Sequence, residues 1–422
     1  MADLMRPIPF SELLLRIAGE YKNHDSIFSI NKDQFYKDKE KHFVDVFNQK
    51  CSTPMGPAAG PHTQLCQNIV ASYLVGARFI ELKTVQIMDH LEIAKPCIDA
   101  RDEGYNVEWS TEYTLEKAYD EYLKAWITLH ILEAVMRDKV IENPSFIFNM
   151  SCGYNLDGIK EKKMQIFIDS MIDAGKKPLF DEYILEAKAL LDDGLLDGTG
   201  LEDRKEKAIK TLDNISKNIC ASVTVSTMHG CPPKEIEAIC SYLLTEKKLD
   251  TFVKLNPTLL GYDTVRSILD SLGYNYVVLK RESFEHDLQL ADAKAMLHRL
   301  VDLAKKEGRK FGVKLTNTLG NVNPQDVLPG DERYGSGRIL LPLSSRVALI
   351  LSEEFNGTLP ISYSGGISAL SVKDLFEAGI HPITLATDML HPGGYAKMKQ
   401  LCEIANESKG WKMDHIDISK LR

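Results

Sequence analysis

Short apolar runs alternate with segments of helical periodicity along most of the chain, from about Pro54 to Ala405. The runs are typical of buried parallel strands, whereas the segments between them repeat apolar residues every three or four positions. No shift in composition marks a linker, and the sequence contains no internal repeat or low-complexity tract. This alternation predicts a parallel sheet flanked by helices.

The number of apolar runs favours a closed (β/α)8 TIM barrel over an open doubly wound sheet, because we count eight or nine. The count depends on residues 275–316, where the run NYVVLKR suggests an additional strand. We expect one domain over residues 1–422, with an N-terminal extension of helix and hairpin (1–50), the barrel (51–405) and a C-terminal tail (406–422). Charged residues at about 176–217 predict a helical insertion outside the barrel.

The stretch Leu359–Leu390 predicts a strand, a turn at Gly365 and Gly366, a helix and a second strand. A glycine turn that leads into a helix presents unpaired N–H groups and the positive end of the helix dipole, which suits a phosphate. In TIM barrels the phosphate site commonly follows strands seven and eight. The alternative is an ordinary βαβ unit whose glycines serve only the turn.

Composition and charge narrow the class of protein. Hydrophobic residues make up 44% and charged residues 26%, which is ordinary for a globular protein. The net charge of −9, without a long basic run, argues against nucleic acid or an anionic membrane as the main partner. Glu12 and Arg16 interrupt the first apolar run, so it is a poor signal peptide, and a cytoplasmic protein is expected.

The eight cysteines are scattered, and no two have the spacing C-x-x-C. Clustered ligands for zinc or an iron–sulfur centre are therefore absent from the sequence, and no metal site is predicted. A disulfide framework is not expected in a large chain without a signal peptide.

Polar residues at the carboxyl ends of barrel strands line the active face. The candidates here are Ala58, Ala59, Gly60, Lys83, Thr84, Asn149, Ser151, Asn155, Ser226, Thr227, His229, Cys231, Lys254, Asn256, Thr316, Asn317 and Thr318. Lys83 and Lys254 stand within apolar strands, where a lysine needs an anionic partner. The partner is either a ligand or a barrel carboxylate. The Asn and Thr residues either contact a ligand or cap loops and helices. The set suits a flat polar heterocycle with an anionic reduced form.

These motifs resemble, in family order, the flavin barrels of dihydroorotate dehydrogenase and, more closely, dihydropyrimidine dehydrogenase. The similarity covers about residues 43–390. It rests on PMGPAAGPHT, FIELKT, MSCGYNLDG, FVKLNPT, TNT, YGSGRILLPLSSRVA and SGGI with the following strand. Any one motif is weak, but the ordered set is specific. Over the whole chain, including MRPIPFSELL, the sequence is similar to the barrel portion of the flavo-subunit family named for selenate reductase.

The resemblance implies a bound FMN and assigns residues to it. Lys83 and Lys254 would face the isoalloxazine and ribityl chain, where positive charge stabilises an anionic reduced flavin. The implied cofactor-binding residues are Ala58, Ala59, Gly60, Lys83, Thr84, Asn155, Lys254, Thr316, Gly337, Gly365, Gly366, Ala386 and Thr387. The implied substrate-binding residues are Asn106, Asn155, His229, Asn256, Asn317 and Thr318.

One departure from the family pattern concerns proton transfer. The family places a Cys or Ser after the fourth strand, and this chain has Thr227 there. A threonine hydroxyl is a weak proton donor unless a neighbour assists it. Thr227 is our first candidate for proton transfer and Cys231 the second, with Lys83 also counted among the catalytic residues. The third possibility is that neither Thr227 nor Cys231 is used.

The leading hypothesis is an FMN-dependent oxidoreductase acting on a C=C or C–N bond of a cyclic amide, such as a pyrimidine or purine. Electrons would come from an iron–sulfur, FAD or NAD(P)H module in a longer chain or a partner subunit, because neither a Rossmann fingerprint nor cluster cysteines are present. The alternatives are an electron-transfer or scaffold module of a larger complex, and a lyase with a Schiff-base lysine. A homodimer is compatible with the sequence.

Overall fold

Eight parallel strands form the central sheet of the computed structural model. The structure describes residues 7–37, 43–88, 113–138, 143–227, 229–323, 328–408 and 415–422, and the backbone of 98–100 and 104–106. The strands are β1 (Met55–Pro57), β2 (Phe79–Glu81), β3 (Ile147–Gly153), β4 (Ser222–Ser226), β5 (Asp250–Leu255), β6 (Phe311–Leu315), β7 (Ile361–Tyr363) and β8 (Ile383–Leu385). The strands pair in chain order from β2 to β8, and β8 pairs with β1. A seam without a strand ladder is left between β1 and β2. There the Arg78 N–H donates to the Met55 carbonyl at 2.9 Å, which brings the two ends of the sheet together. The predicted TIM barrel is confirmed.

A helix follows each strand on the outside of the barrel. These helices are α1 (Cys66–Leu74), α2 (Leu115–Met136), α3 (Lys162–Ile172), α4 (Pro233–Thr245), α5 (Leu290–Lys306), α6 (Leu340–Glu354), α7 (Val372–Glu377) and α8 (Gly394–Glu407). Shorter helices at Leu156–Lys160, Tyr262–Ser271, Arg281–His286, Thr387–Leu390 and Ile418–Leu421 lie in the connections and the tail. In the described part of the chain, no helix is both long enough and apolar enough to cross a membrane.

The N-terminal helix Phe10–His24 and the insertion helices Pro178–Asp192 and Lys205–Asp213 pack against one side of the barrel. The rings of Phe10 and Tyr183 lie 4.5 Å apart where the first two of these meet. Because these segments cover α2, that helix is buried on almost every side. The long helix that this stretch predicts therefore forms, with the extension and the insertion in place of solvent on its outer side.

Two connections expected to be loops pair with each other. Residues Leu319–Val322 and Glu332–Gly335 form a hairpin after β6, and Ile98–Ala100 and Gly104–Asn106 form another after β2. Tyr334 pairs with Ile98 in parallel register, so the two hairpins make one four-stranded sheet. This sheet belongs to connections that leave the carboxyl ends of β2 and β6, the end where barrel active sites lie.

The additional strand suggested by NYVVLKR does not form. Residues 275–280 run between two helices without a place in any described sheet, and the helix Arg281–His286 follows. Val277 and Leu279 are buried while Val278 is exposed, so the segment packs one face without needing a strand neighbour. The eight-stranded barrel is already complete, which leaves no edge for a ninth strand.

Candidate functional site

A cleft opens at the carboxyl ends of the barrel strands. The space free of protein atoms amounts to about 1010 Å³, including the part that opens to solvent. The predicted residues that line it are Ala58, Ala59, Thr84, Thr227, His229, Lys254, Thr316, Asn317, Thr318, Gly337, Gly365, Gly366, Ala386 and Thr387. Ser226, Ser336, Leu340, Ser364, Ile367, Thr384, Leu385 and Asp388 complete the lining. Most of the residues singled out in the sequence therefore meet in one place.

Seven other predicted residues with described side chains do not line this cleft. Asn149 is buried in β3 and donates to the Thr224 hydroxyl at 2.8 Å, and the Ser151 hydroxyl lies 2.7 Å from that of Thr84. The Gly60 N–H donates to the Thr63 hydroxyl in the turn after β1. Asn155 is exposed, and its side chain caps the helix Leu156–Lys160 by accepting from the Gly158 N–H at 2.8 Å. Cys231 and Asn256 stand just behind the lining, as described below.

Lys83 is buried beside His62. Burial, and after it the nearby Lys83 ammonium, lowers the pKa of His62 to about 4. Asn106 is in a strand described by its backbone alone, so its side chain lies outside the described residues.

The glycine turn between β7 and α7 forms one wall of the cleft. Gly366 has φ +66°, and a Cβ there would lie 2.5 Å from the Gly337 carbonyl oxygen and 2.8 Å from Arg338 Cα. A Cβ on Gly365 would lie 2.6 Å from the Ser344 hydroxyl. The turn thus presents bare backbone to the cleft. The helix itself begins only at Val372, so the cleft meets the turn rather than the helix N-terminus, unlike the arrangement that the sequence suggests.

Two lysines stand side by side on β5 and β6, because the parallel register pairs Lys254 with Lys314. Lys314 is fully buried and its Nζ lies 3.1 Å from Glu81 Oε2 on β2. It also donates to Thr384 at 2.7 Å and to Ser362 at 3.3 Å. Burial would raise the pKa of Glu81, but the Lys314 and Lys254 ammoniums hold it below its ordinary value. The core of the barrel therefore contains an ionised pair.

Lys254 lines the cleft with its charge only partly compensated. Glu81 is already paired with Lys314, and among the described residues no group hydrogen-bonds the Lys254 ammonium. Burial lowers the pKa of Lys254 to about 8, and Lys314 adds to this effect while Glu81 opposes it. A partly buried cation without a partner is costly, and an anion bound in the cleft would remove that cost.

The unpartnered lysine predicts an unusual pH dependence of stability. Below pH 8 Lys254 is charged in the folded chain, and this charge lowers the stability. Between pH 8 and the pKa of an exposed lysine, Lys254 is neutral in the folded chain but still protonated in the unfolded chain. In that range the stability of the wild type therefore rises with pH. Lys254→Met should therefore stabilise the flavin-free chain by about 1–3 kcal/mol at pH 7, and this advantage should vanish near pH 10.5. Urea unfolding at several pH values measures it. The exposed Lys310→Met is the control, and an equal response of both variants would contradict the assignment.

Asp287 organises the opposite wall through a chain of hydrogen bonds. Its Oδ2 accepts from Asn256 at 2.8 Å and from Thr258 at 2.6 Å. Asn256 Oδ1 in turn accepts from the Asn317 amide at 2.7 Å. Burial would raise the pKa of Asp287, but hydrogen bonds from His229, Thr258 and other groups hold it far below its ordinary value. Because a carboxylate only accepts, it fixes the orientation of both amides.

The two residues predicted for proton transfer lie together. Thr227 hydrogen-bonds the Cys231 thiol, and burial with the nearby Glu235 and Asp287 carboxylates raises the pKa of Cys231 to about 11. A thiol with such a pKa is a poor source of thiolate at neutral pH. In the described ranges no group of three His, Cys, Asp or Glu side chains is placed to hold a metal ion.

Sequence reasoning missed Glu81, Lys314 and Asp287. The first two carry a detectable signal, since both are charged residues inside apolar strands (FIELKTV and FGVKLTNT), like the lysines that were identified. Asp287 carries none, because it lies 31 residues beyond its partner Asn256 in an irregular connection.

Comparison with known proteins agrees with the fold. The ligand-free dihydroorotate dehydrogenase (DHODH) of Eimeria tenella superposes with a TM-score of 0.52 at 16% identity, over 97% of this chain and 98% of that one. The DHODH of the same organism in complex with ferulenol gives 0.51 at 15% identity, over 99% of this chain and 97% of that one. Likeness at this level of identity shows the fold alone. The quinone-type dihydroorotate dehydrogenase of Actinobacillus pleuropneumoniae serotype 7 is 39% identical over 85 residues, 19% of this chain and 25% of its own.

A longer bacterial protein matches throughout. The Escherichia coli (strain K12) protein named "Putative oxidoreductase YgfK" is 57% identical over all 422 residues, which make up 41% of its length. The chain thus spans about two fifths of that relative. The profile described as "Oxidoreductase YgfK, N-terminal TIM-barrel domain" matches residues 28–422. The chain belongs to this family of oxidoreductase TIM-barrel domains.

Proposed function

We propose that this domain is an FMN-dependent oxidoreductase that reduces or oxidises a C=C or C–N bond of a cyclic amide, a pyrimidine- or purine-like heterocycle. The observation that carries the proposal is the Lys254 ammonium, which no group among the described residues hydrogen-bonds, in the same cleft as the Gly365–Gly366 turn. A cation at one side and a glycine turn at the other fit a ligand that is anionic at both ends. Reduced FMN is such a ligand.

The cleft meets the requirements of FMN at the phosphate end. Gly365 and Gly366 line the cleft with backbone alone, and a Cβ at either position would collide with neighbouring residues, so glycine is needed to keep this turn where a phosphate can approach it. Ala386 and Thr387, which follow the neighbouring strand β8, line the same cleft, and the Thr387 hydroxyl is 2.8 Å from that of Ser336. Backbone N–H groups and hydroxyls are suitable phosphate ligands.

The other end suits the flavin ring. Ala58 and Ala59 give a flat, apolar surface, while Thr84 and Thr316 supply hydroxyls, which Ser151 and Ser344 hold at 2.7 and 2.8 Å. Lys254 would stabilise negative charge on the ring. When bound and reduced, FMN supplies a hydride to an acceptor. We propose the remaining predicted cofactor residues, Gly60, Lys83 and Asn155, as supports of this surface from outside the lining.

The wall built on Asp287 supports an amide-bearing substrate. Asp287 draws the Asn256 amide nitrogen toward itself, and Asn256 Oδ1 then draws the Asn317 amide nitrogen. Asn317 is left with its carbonyl oxygen for the cleft, which it lines together with Thr318. An acceptor in that position recognises an N–H group, as cyclic amides present. The electrons would come from a further module, and the greater length of the relatives is compatible with this.

A second function, an electron-transfer or scaffold module without its own substrate, is favoured by one observation. Neither Thr227, a weak acid, nor Cys231, with its raised pKa, is suited to proton transfer. If the reaction needs one of these two groups, the barrel would hold flavin but turn over no heterocycle.

Reoxidation of the reduced flavin distinguishes the two functions. The FMN-loaded chain is reduced with dithionite, freed of excess reductant without air, and mixed with uracil, thymine, orotate, xanthine and hypoxanthine. We expect at least one of these compounds to reoxidise the flavin, because the Asp287 wall accepts the N–H groups of such rings. Asp287→Asn should slow this reoxidation, whereas the surface variant Lys280→Met should not. Flavin that stays reduced with every compound would favour the scaffold function.

A further inference from the structure

The loop after β4 and the segment before α5 meet at the mouth of the cleft, where His229 contacts Asp287. His229 Nδ1 lies 3.3 Å from Asp287 Oδ2, and the Gly230 N–H donates to Asp287 Oδ1 at 3.1 Å. The Asp287 side chain is almost fully buried, and that of His229 is 27% exposed. A buried carboxylate therefore holds both the ring and the backbone beside it.

The carboxylate also decides which ring nitrogen carries the proton. Asp287 is ionised and can only accept, so Nδ1 must donate to it. Nε2 is then left for the cleft, which His229 lines. Among the described residues no group hydrogen-bonds Nε2. The ring also lies against Tyr334, with centroids 6.0 Å apart, which restricts its rotation.

We propose that His229 is the acid–base residue of this cleft and that Asp287 is its positioning residue, in place of Thr227 and Cys231. The inference rests on the proposed oxidoreductase function. Imidazole exchanges protons near neutral pH more readily than a threonine hydroxyl does, and the Asp287 carboxylate holds the ring by Nδ1 so that Nε2 is left for the cleft. The distance of 3.3 Å is long for a hydrogen bond, as is common before substrate binds.

The proton balance of the step is simple. In the reducing direction the Nε2–H bond of the His229 imidazolium breaks, and a new bond to hydrogen forms at one atom of the substrate double bond. The other atom receives the hydride that reduced flavin provides, so the substrate gains two hydrogens. The neutral ring then takes a proton from solvent, which the partly exposed side chain can reach. The oxidising direction is the reverse.

Charged and titratable groups surround the ring on several elements. Asp287 faces it from the segment before α5, Tyr334 from the hairpin after β6 and Cys231 from its own loop. Lys254 shares the cleft from the end of β5. Each of these groups can therefore contribute to the pH dependence of turnover, which should be measured in variants of these residues as well as in wild type.

The first test needs neither flavin nor substrate. Long-range ¹H–¹⁵N correlation spectra of the ¹⁵N-histidine-labelled chain report which nitrogen of each ring is protonated, and His229→Gln assigns the signal. We expect the Nδ1–H form in wild type and its loss in Asp287→Asn. His298, which pairs with Glu354 on the surface, is the control and should not respond. An Nε2–H form in wild type would overturn the proposal.

The second test measures proton transfer with the compound that reoxidises the reduced flavin. His229→Ala should slow reoxidation by about 10²–10⁴-fold, as loss of a general acid does, and added imidazole should restore part of the rate. The surface variant His298→Ala, at the ring that pairs with Glu354, should stay within about threefold of wild type. A wild-type rate in His229→Ala, or a loss that imidazole does not restore, would overturn the assignment. If no compound reoxidises the flavin, the proposed substrate class fails, and the tautomer measurement alone decides the His229–Asp287 pair.

Discussion

Replacing Lys314 by methionine is expected to lower the free energy of unfolding by about 3–5 kcal/mol. The change leaves Glu81 buried in the barrel without its ion-pair partner at 3.1 Å, and it removes a donor from Thr384 and Ser362. Without Lys314, burial should raise the pKa of Glu81 in the folded chain above its unfolded value. Stability of the variant should then fall as pH rises, so the loss should be larger at pH 7.5 than at pH 5.

A second substitution separates the buried charge from the change in packing. Glu81→Gln combined with Lys314→Met removes the buried pair, and we expect it to recover part of the lost stability. The recovery is incomplete because Lys254 then loses the carboxylate beside it. Lys280→Met, which breaks an exposed pair with Glu332, is the matched control and should cost less than about 1 kcal/mol. Urea unfolding measures all three. A Lys314→Met effect no larger than that of Lys280→Met would show that the pair is not important for stability.

Gly366→Ala is expected to weaken FMN binding by about 10- to 100-fold. At φ +66° an alanine is strained, and its Cβ would lie 2.5 Å from the Gly337 carbonyl oxygen, so the turn must move. Both loops that would hold the phosphate are displaced by that movement. Fluorescence quenching of FMN on titration with protein measures the dissociation constant.

Gly357→Ala separates this local effect from general destabilisation. Gly357 has φ +73°, and a Cβ there would overlap the Ile416 carbonyl oxygen, but the residue does not line the cleft. It should lower the melting temperature while leaving FMN affinity within about twofold of wild type. Wild-type affinity in Gly366→Ala would contradict the phosphate assignment.

The barrel could be predicted from the sequence because strand and helix periods alternate without interruption, and because the Leu359–Leu390 unit has its strand, turn and helix in recognisable form. The small sheet after β2 and β6 could not. Its strands are only three or four residues long and are rich in Gly and Asn, so their composition indicates loops. Their pairing depends on contact between segments far apart in the chain.

The candidate site was predicted in its members but not in their roles. Apolar context identified lysines inside strands, yet it does not tell which ammonium meets the cleft. Lys254 and Lys314 are register partners on neighbouring strands, and of the two Lys254 lines the cleft while Lys314 is buried in the core. A barrel carboxylate pairs with Lys314, a lysine that the sequence did not single out, whereas the Lys254 ammonium has no hydrogen-bond partner among the described residues. For Asn155 the sequence left two roles open, contact with a ligand or capping of a helix, and in the structure its side chain caps the helix Leu156–Lys160.

FMN binding by the 422-residue chain itself decides whether this cleft is a flavin site. The flavin-free protein is mixed with excess FMN and desalted, and the flavin band (roughly 450 nm) is compared with the protein concentration. We predict a single FMN per chain in wild type and a clear reduction in Gly366→Ala and Lys254→Met. A properly folded chain that stays colourless and does not quench FMN fluorescence would contradict the assignment of this cleft.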